Sequence, residues 1–152
     1  ELWDCFVASV DKHFKYLEDE FGFRRVSQKI PFVVFESSSL RVRVYYDSPG
    51  RHELDLSIEP FEKIDKLGRP FSAGMLARLH DPEKWRGYLS PFPNTPEKVE
   101  VEVKALADKL RLYGKDVLRG DLADLRKVAR LNEELEEKLA KRRPLGQKKP
   151  PQ

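Results

Sequence analysis

Two neighbouring stretches that alternate apolar and polar residues constrain the fold more than any other feature of this chain. Residues 40–46 read Leu-Arg-Val-Arg-Val-Tyr-Tyr, and residues 53–59 read Glu-Leu-Asp-Leu-Ser-Ile-Glu. Such alternation places every second side chain on the same face of a β-strand. The turn sequence Asp-Ser-Pro-Gly-Arg separates the two stretches. The pattern predicts an antiparallel hairpin with one buried apolar face and one charged face.

The charged face of this hairpin predicts ion pairs between its two strands. The first strand offers Arg41 and Arg43, whereas the second offers several acids. With the five-residue turn as the loop, Arg43 is expected opposite Asp55, and Tyr45 opposite Glu53. Because opposite-charge pairs across strands contribute roughly 0.2–1 kcal/mol each, we expect these charges to satisfy one another.

Apolar periodicity places a helix before the strands. Between residues 2 and 21, apolar side chains recur every three or four positions, and Gly22 follows as a helix-ending residue. Residues 32–35, Phe-Val-Val-Phe, are apolar on both sides, which favours a strand covered on both faces. With a weaker strand before it and the hairpin after it, an antiparallel meander of about four strands is expected over 23–59.

Two further helices are predicted in the second half of the chain. Thr95, Pro96 and Glu97 provide a capping hydroxyl, a proline for the first helical position and an acid at the positive helix end. Gly114 ends that helix, and the last helix should project beyond Leu131, where apolar residues become sparse. The predicted fold class is therefore α+β, in which the meander packs with an N-terminal helix and two C-terminal helices.

Length and charge bound the class of protein. The 152 residues suit one domain, which we expect over residues 1–140. The tail 141–152 contains five cations and no acid, and its composition is typical of disorder. Since the whole chain carries a net charge of +3, the part before residue 141 carries about −2, which weakens an interpretation as a nucleic-acid-binding protein.

The single cysteine and the hydropathy pattern indicate a reducing compartment. Cys5 has no partner for an internal disulfide, so a cytoplasmic location is the expectation. No apolar run approaches the roughly 18 residues of a membrane-spanning helix. No secretory leader is visible either. We therefore expect no membrane partner.

No residue pattern identifies a catalytic, cofactor or metal site. The three histidines, His13, His52 and His80, are isolated from one another and from other ligands at metal-binding spacing. The acids of the second hairpin strand, Asp55 among them, could hold Mg²⁺ for hydrolysis. The arginines on the neighbouring strand favour ion pairing instead. No cofactor is predicted, and a metal-dependent hydrolase is the least favoured interpretation.

The proline-rich segment 60–94 is a second candidate for a functional surface. After a predicted short helix at 72–80 come Trp85, Arg86 and Tyr88, and these residue types are enriched at the centres of interfaces. Trp85 either contacts a partner or folds inward to cover the second face of the sheet, and both alternatives stay open. The candidate partner-binding surface comprises Arg41, Arg43, Tyr45, Glu53, Asp55, Arg69, Trp85, Arg86 and Tyr88.

Two junctions carry a resemblance to known proteins. Residues 21–24, Phe-Gly-Phe-Arg, end an amphipathic helix, and residues 113–121, Tyr-Gly-Lys-Asp-Val-Leu-Arg-Gly-Asp, join two helices. With the alternating strands, this layout resembles small bacterial single-domain proteins of the polymorphic-toxin immunity type, over most of the chain to about residue 131. The resemblance implies a cytoplasmic, bacterial, non-enzymatic binding protein.

The sequence therefore predicts a protein-binding module, with an immunity or inhibitor protein as its specific form. Such a protein would block its partner with the charged sheet face or with the segment that contains Trp85. The alternative is a nucleic-acid-associated accessory protein that uses Arg41, Arg43, Arg86 and the basic tail. The oligomeric state is left open by the sequence.

Overall fold

The computed structural model describes residues 1–142, and the structure contains seven helices and five strands within that range. Residues 143–152, which include most of the predicted basic tail, lie outside the described part. In chain order the elements are α1 (Leu2–His13), α2 (Tyr16–Asp19), β1 (Arg24–Lys29), β2 (Phe32–Glu36), β3 (Leu40–Tyr46), β4 (Leu54–Pro60), β5 (Phe71–Ser72), α3 (Ala73–His80), α4 (Pro82–Trp85), α5 (Pro96–Tyr113), α6 (Lys115–Leu118) and α7 (Ala123–Lys141).

The strands form one antiparallel sheet in the order β1-β2-β3-β4-β5, so each strand pairs with its neighbour in sequence. The predicted α+β class, with a meander, an N-terminal helix and C-terminal helices, is confirmed. The fifth strand was not predicted. It is only two residues long and pairs Phe71 with Ile58 and Ser72 with Ser57. So short a strand carries no alternation that a sequence pattern could reveal.

The hairpin exists, but its register differs from the predicted one by two residues. Tyr45 lies opposite Asp55 rather than Glu53, and Arg43 lies opposite Ser57 rather than Asp55. The loop runs from residue 47 to residue 53 and is longer than the expected five residues, because hydrogen bonds of Asp47 stabilise a wider turn. The backbone nitrogen of Asp47 donates to Glu53 O at 3.0 Å, and its carboxylate accepts from the Arg51 amide at 2.9 Å. A shift of two residues keeps every side chain on its predicted face.

The core lies on one face of the sheet, under a layer of helices. Val42, Val44 and Phe35 are fully buried on the sheet side. They belong to one hydrophobic cluster with Phe6 of α1 and Leu110 of α5. α1 and α5 pack against each other, and α3 packs against α5. The amphipathic stripes of these helices thus supply the second half of a two-layer domain.

Within residues 1–142 the main core cluster lies on one face of the sheet, and Val34 on the opposite face is outside that cluster although it is buried. Residues 32–35 are therefore buried on both faces, as expected, but a helix layer packs on one face only among the described residues. Buried and half-buried residues alternate strictly along β3 from Leu40 to Tyr46. Val34 is 7% exposed, and it lines a shallow depression on this face together with Arg41 and Arg43. Its cross-strand neighbour Arg43 stacks on Phe32, with the guanidinium carbon 4.7 Å from the ring centroid. An apolar strand can therefore be shielded by long side chains beside it instead of by a second layer.

The first helix is shorter than predicted and breaks after His13. Tyr16 is buried, and its hydroxyl donates a 2.7 Å hydrogen bond to the backbone oxygen of Ala107 in α5. On a straight helix Tyr16 would lie about 100° from Leu17 and away from the apolar stripe. The break allows both side chains to be buried. The predicted stop at Gly22 is confirmed by its φ of +71°.

The later helices follow the predictions closely. Ser72 caps α3 by accepting from the Met75 amide at 3.1 Å, and Thr95 caps α5 by accepting from the Lys98 amide at 3.2 Å. α5 ends before Gly114, as predicted. In the outer half of α7 the leucines lie more than half exposed, so this half projects from the body, also as predicted. These leucines are Leu131, Leu135 and Leu139.

Candidate functional site

The uncovered side of the sheet gathers the charged residues of the hairpin. We call it the open face and define it by Phe32, Glu36, Arg41, Arg43, Tyr45 and Glu59. Arg41 contacts Glu36 at 2.7 Å and Glu59 at 3.4 Å. Arg43 contacts the other oxygen of Glu59 at 3.2 Å. The hydrogen bond to Glu36 raises the pKa of Arg41 above its ordinary value. The arginines are therefore neutralised on the face itself, although by Glu36 and Glu59 and not by Asp55.

Aromatic rings hold these arginines in place. Arg43 lies over Phe32, and Phe32 contacts Tyr45 with their ring centroids 5.4 Å apart. Arg41 lies over Phe61, 5.8 Å from its centroid. Stacking of a guanidinium on an aromatic ring restricts the long side chain and shields the ring from water. The centre of the open face is consequently an ordered layer of alternating aromatic and charged groups.

One polar atom on this layer is left without a hydrogen bond. The Nε atom of Arg43 is buried and has no hydrogen-bond partner within the described residues. A shallow depression of about 400 Å³ lies beside it and is lined at its outer edge by Val26 and Ile30. These two side chains are 41% and 54% exposed. The depression therefore combines exposed apolar surface with an unsatisfied donor.

A second concave region lies at the edge of β4, where residues 88–91 run beside the strand. We call it the lysine cavity. Its volume is about 160 Å³, and Lys109 of α5 lies in its wall, only 6% exposed. The ammonium group lies 3.5 Å from the ring centroid of Tyr88 and 4.2 Å from that of Trp85. Its other lining residues are Leu54, Asp55, Ser72, Gly74, Arg78, Ser90, Pro91, Glu102 and Leu106.

The charges of the lysine cavity perturb one another. Burial lowers the pKa of Lys109, and the nearby carboxylates of Asp55 and Glu102 oppose this effect without cancelling it. Burial likewise raises the pKa of Tyr88, and the same two carboxylates add to the rise. Asp55 accepts a hydrogen bond from Ser90 at 3.0 Å. The residue predicted to neutralise Arg43 thus belongs to this cavity instead.

The nine predicted surface residues do not form one site. Arg41, Arg43 and Tyr45 share the open face, whereas Asp55, Trp85 and Tyr88 meet at the lysine cavity. The remaining three lie elsewhere. Glu53 closes the hairpin loop through its carbonyl oxygen. Arg86 contacts Glu83 at 3.4 Å, and both side chains are largely exposed. Arg69 contacts the buried Asp65 at 3.1 Å and Glu136 of α7 at 2.5 Å.

The choice between an inward and an outward Trp85 is resolved by its neighbours. Its ring nitrogen donates a 3.0 Å hydrogen bond to the Tyr113 hydroxyl, and the side chain is half-buried against α5. It does not cover the open face. Phe92, another large aromatic residue of the same segment, is 51% exposed and lies beside Arg51. Both aromatic residues therefore leave the second side of the sheet uncovered.

The sequence reasoning missed Lys109 and Glu102, although Arg78 lies in the segment that it singled out. A signal for both was present, because Glu102 at i−4 and Lys109 at i+3 are spaced for the same side of α5 as the buried Leu106.

Within residues 1–142 no group of three or more His, Cys, Asp or Glu side chains is placed to hold a metal ion. The helices of the described part are also too short or too polar to span a bilayer. No family model matches the sequence, and comparisons with curated proteins and with solved structures found no significant match. Fold and surface together thus define an antiparallel α+β domain with one open sheet face.

Proposed function

We propose that this chain is a non-enzymatic protein-binding module that docks a folded protein on its open face. The observation that supports the proposal is an uncovered sheet face on which Arg41 and Arg43 are fixed by stacking on Phe61 and Phe32. Arginine and aromatic side chains dominate the binding energy of protein interfaces. Side chains that are already ordered lose little conformational entropy when a partner binds.

The charge on the open face favours a protein over a nucleic acid as the partner. Arg41 and Arg43 are paired with Glu36 and Glu59, so the centre of the face offers little net positive charge. Phosphate backbones are bound chiefly through unneutralised cations, with a steep dependence on salt. The exposed apolar rim at Val26 and Ile30 instead suits the apolar centre of a protein interface.

The specific form of the proposal is an inhibitor of the immunity type in a bacterial cytoplasm. It draws on the resemblance of the helix junctions at 21–24 and 113–121 to such proteins. A rigid meander that presents a prearranged face is well suited to blocking one partner tightly. The single cysteine, Cys5, is compatible with a reducing compartment.

The proposal is tested by comparing capture of partners from the source cell by three tagged forms of the full chain. The wild type is compared with Arg43→Ala/Tyr45→Ala, which removes the centre of the open face. The matched control is Lys104→Ala/Leu112→Ala on the exposed side of α5, where Leu112 is 69% exposed. We expect one stoichiometric protein with the wild type and the control, and its loss with the open-face variant.

Three results would count against this function. A partner that the open-face variant retains would place binding elsewhere on the molecule. Recovery of DNA or RNA that is lost steeply with added salt would favour the nucleic-acid alternative. A monomer without any partner, measured by light scattering on the same preparations, would contradict a binding module. Circular dichroism of both variants verifies that their fold is intact.

A further inference from the structure

Several charged groups of the lysine cavity have no hydrogen-bond or ion-pair partner among residues 1–142. Lys109 is more than nine-tenths buried, yet within residues 1–142 its ammonium group makes no hydrogen bond and no ion pair. Arg78 and Glu102, which also line the cavity, have no ion-pair partner among the described residues either. Arg78 is exposed and Glu102 is half-buried, whereas Lys109 is almost completely buried except at its ammonium group. These charged groups therefore stay accessible to a ligand that enters the cavity.

The aromatic contacts of Lys109 stabilise its charge, but they do not satisfy its hydrogen-bond donors. The rings of Tyr88 and Trp85 attract the ammonium group through their π faces. They do not accept its N–H groups as an oxygen would. Because Lys109 reaches the cavity wall, at least one of its three donors is available to an acceptor placed there.

The cavity is lined by both cationic and acidic side chains. Lys109 and Arg78 contribute two positive charges, and Asp55 and Glu102 contribute two negative charges. A simple anion would be drawn to the cations but repelled by the carboxylates, and a simple cation would meet the reverse. A ligand with both charges satisfies all four groups. Ser72 and Ser90 add hydroxyl groups to the same wall.

Size limits the ligand further. The cavity volume of about 160 Å³ is close to the roughly 150 Å³ known to hold one benzene molecule. That volume admits a compound of about six heavy atoms. Arg78 Nη1 lies close to Gly74, 3.5 Å from the position that a Cβ would take there. Arg78 therefore folds back across the start of α3, toward the cavity that it lines.

We propose that the lysine cavity binds a small zwitterion of the amino-acid class. The carboxylate of the ligand lies against Lys109 and Arg78, and its ammonium group lies against Asp55 and Glu102. Ligand binding gives the buried Lys109 the oxygen acceptor that the fold does not supply. This inference is independent of the proposed function, because Arg41, Arg43 and Tyr45 do not line the cavity.

The test is a titration of the full-length, ¹⁵N-labelled chain, followed by NMR. The probes are the standard amino acids and β-alanine, each up to about 10 mM, a range that detects binding free energies of about −3 to −4 kcal/mol. We expect saturable shifts at Ser72, Gly74 and Ser90 with the smaller zwitterions. Propionate, which lacks the ammonium group of alanine, and ethylamine, which lacks its carboxylate, should each bind at least about tenfold more weakly.

Variants that remove single charges test which side chains bind each end of the zwitterion. Arg78→Gln and Glu102→Gln remove one charge of each sign, and each should weaken binding of the zwitterion by about tenfold or more. Neither residue is fully buried, so both variants are expected to fold. Lys104→Gln is the matched control, since Lys104 lies on the exposed side of α5 and pairs with Asp108. It should leave binding unchanged.

Several results would overturn the inference. Propionate that binds as tightly as alanine would make the cavity a plain anion site. The absence of binding by every amino acid tested, in a protein whose spectrum shows the native fold, would leave no zwitterion site at all. Equal affinities for the wild type, Arg78→Gln and Glu102→Gln would place any observed binding elsewhere on the surface.

Discussion

At the scale of single residues, the environment of Lys109 sets the most testable electrostatic property of the molecule. Its ammonium group lies beside two aromatic rings, and the residue as a whole is only 6% exposed. The loss of hydration lowers its pKa, and the approach of Asp55 and Glu102 offsets only part of that shift. A buried amine therefore responds to pH in a way that exposed lysines do not.

We predict that the stability contributed by Lys109 rises with pH in the alkaline range. Because its pKa is lower in the folded chain than the roughly 10.4 of an unfolded one, the unfolded state binds more protons between the two values. The free energy of unfolding must then increase with pH across that interval. Urea denaturation of the wild type and of Lys109→Met from pH 7 to pH 10 measures the effect.

The expected result is a difference in unfolding free energy, wild type minus variant, that grows as the pH rises. Methionine suits the comparison because it preserves much of the length of the side chain and cannot titrate. Lys104→Met serves as the control on the exposed side of the same helix. A difference that stays flat or falls with pH would show that Lys109 is hydrated in the folded protein.

At the scale of elements, α7 divides into two halves with different physical roles. Leu125, Val128 and Ala129 are buried against the body of the molecule, and α7 contacts α3. Farther along the helix, Arg69 reaches Glu136 from the loop before β5, so the outer half is attached mainly through charged groups. Exposed ion pairs contribute little free energy. The inner half should therefore carry most of the stability.

Alanine substitutions test that division. Leu125→Ala creates a cavity in the core and should lower the free energy of unfolding by about 2–5 kcal/mol. Leu139→Ala removes a side chain that is 54% exposed and should change it by less than about 0.5 kcal/mol. Urea unfolding of both variants gives the two values. A cost above about 1 kcal/mol for Leu139→Ala would mean that the outer half is covered in solution.

The elements also show what local patterns can and cannot determine. Alternation assigned Leu40 and Arg41 to opposite faces correctly, because side-chain direction in a strand depends on position alone. The register depended on the loop, where Asp47 binds Arg51 and closes a wider turn than its sequence indicates. Likewise, the break after His13 arises from a contact of Tyr16 with α5, far away in sequence. Long-range contacts of this kind leave no periodic signal.

At the scale of the whole molecule, a single layer of helices covers one side of a five-stranded sheet. The sequence predicted this class, but it did not predict that Val34 would lie outside the main core cluster of the described residues while still being buried. The predicted partner-binding residues likewise separated into an open-face group and a lysine-cavity group. Asp55 lies directly opposite Tyr45 in the hairpin, but its carboxylate accepts a hydrogen bond from Ser90 at the edge of β4 and therefore lines the lysine cavity.

This architecture predicts a gradient of local stability, which native-state hydrogen exchange can measure. β3 is paired on both sides from Arg41 to Tyr45 and has a fully buried alternate face, so its amides should open only with global unfolding. β1 is an edge strand with an irregularity between Arg25 and Ser27, and five of its six residues are exposed. Its amides should exchange through smaller, local openings, as should those in the last turns of α7.

The same measurement has a result that would contradict the open architecture. Protection of the last turns of α7 equal to that of β3 would mean that Leu135 and Leu139 are covered in solution. Repeating the exchange at several protein concentrations distinguishes the causes, since cover by a second copy strengthens with concentration. Protection that does not change with concentration would instead mean that the outer half of α7 unfolds only together with the core. The statement that the inner half carries most of the stability of α7 would then be wrong.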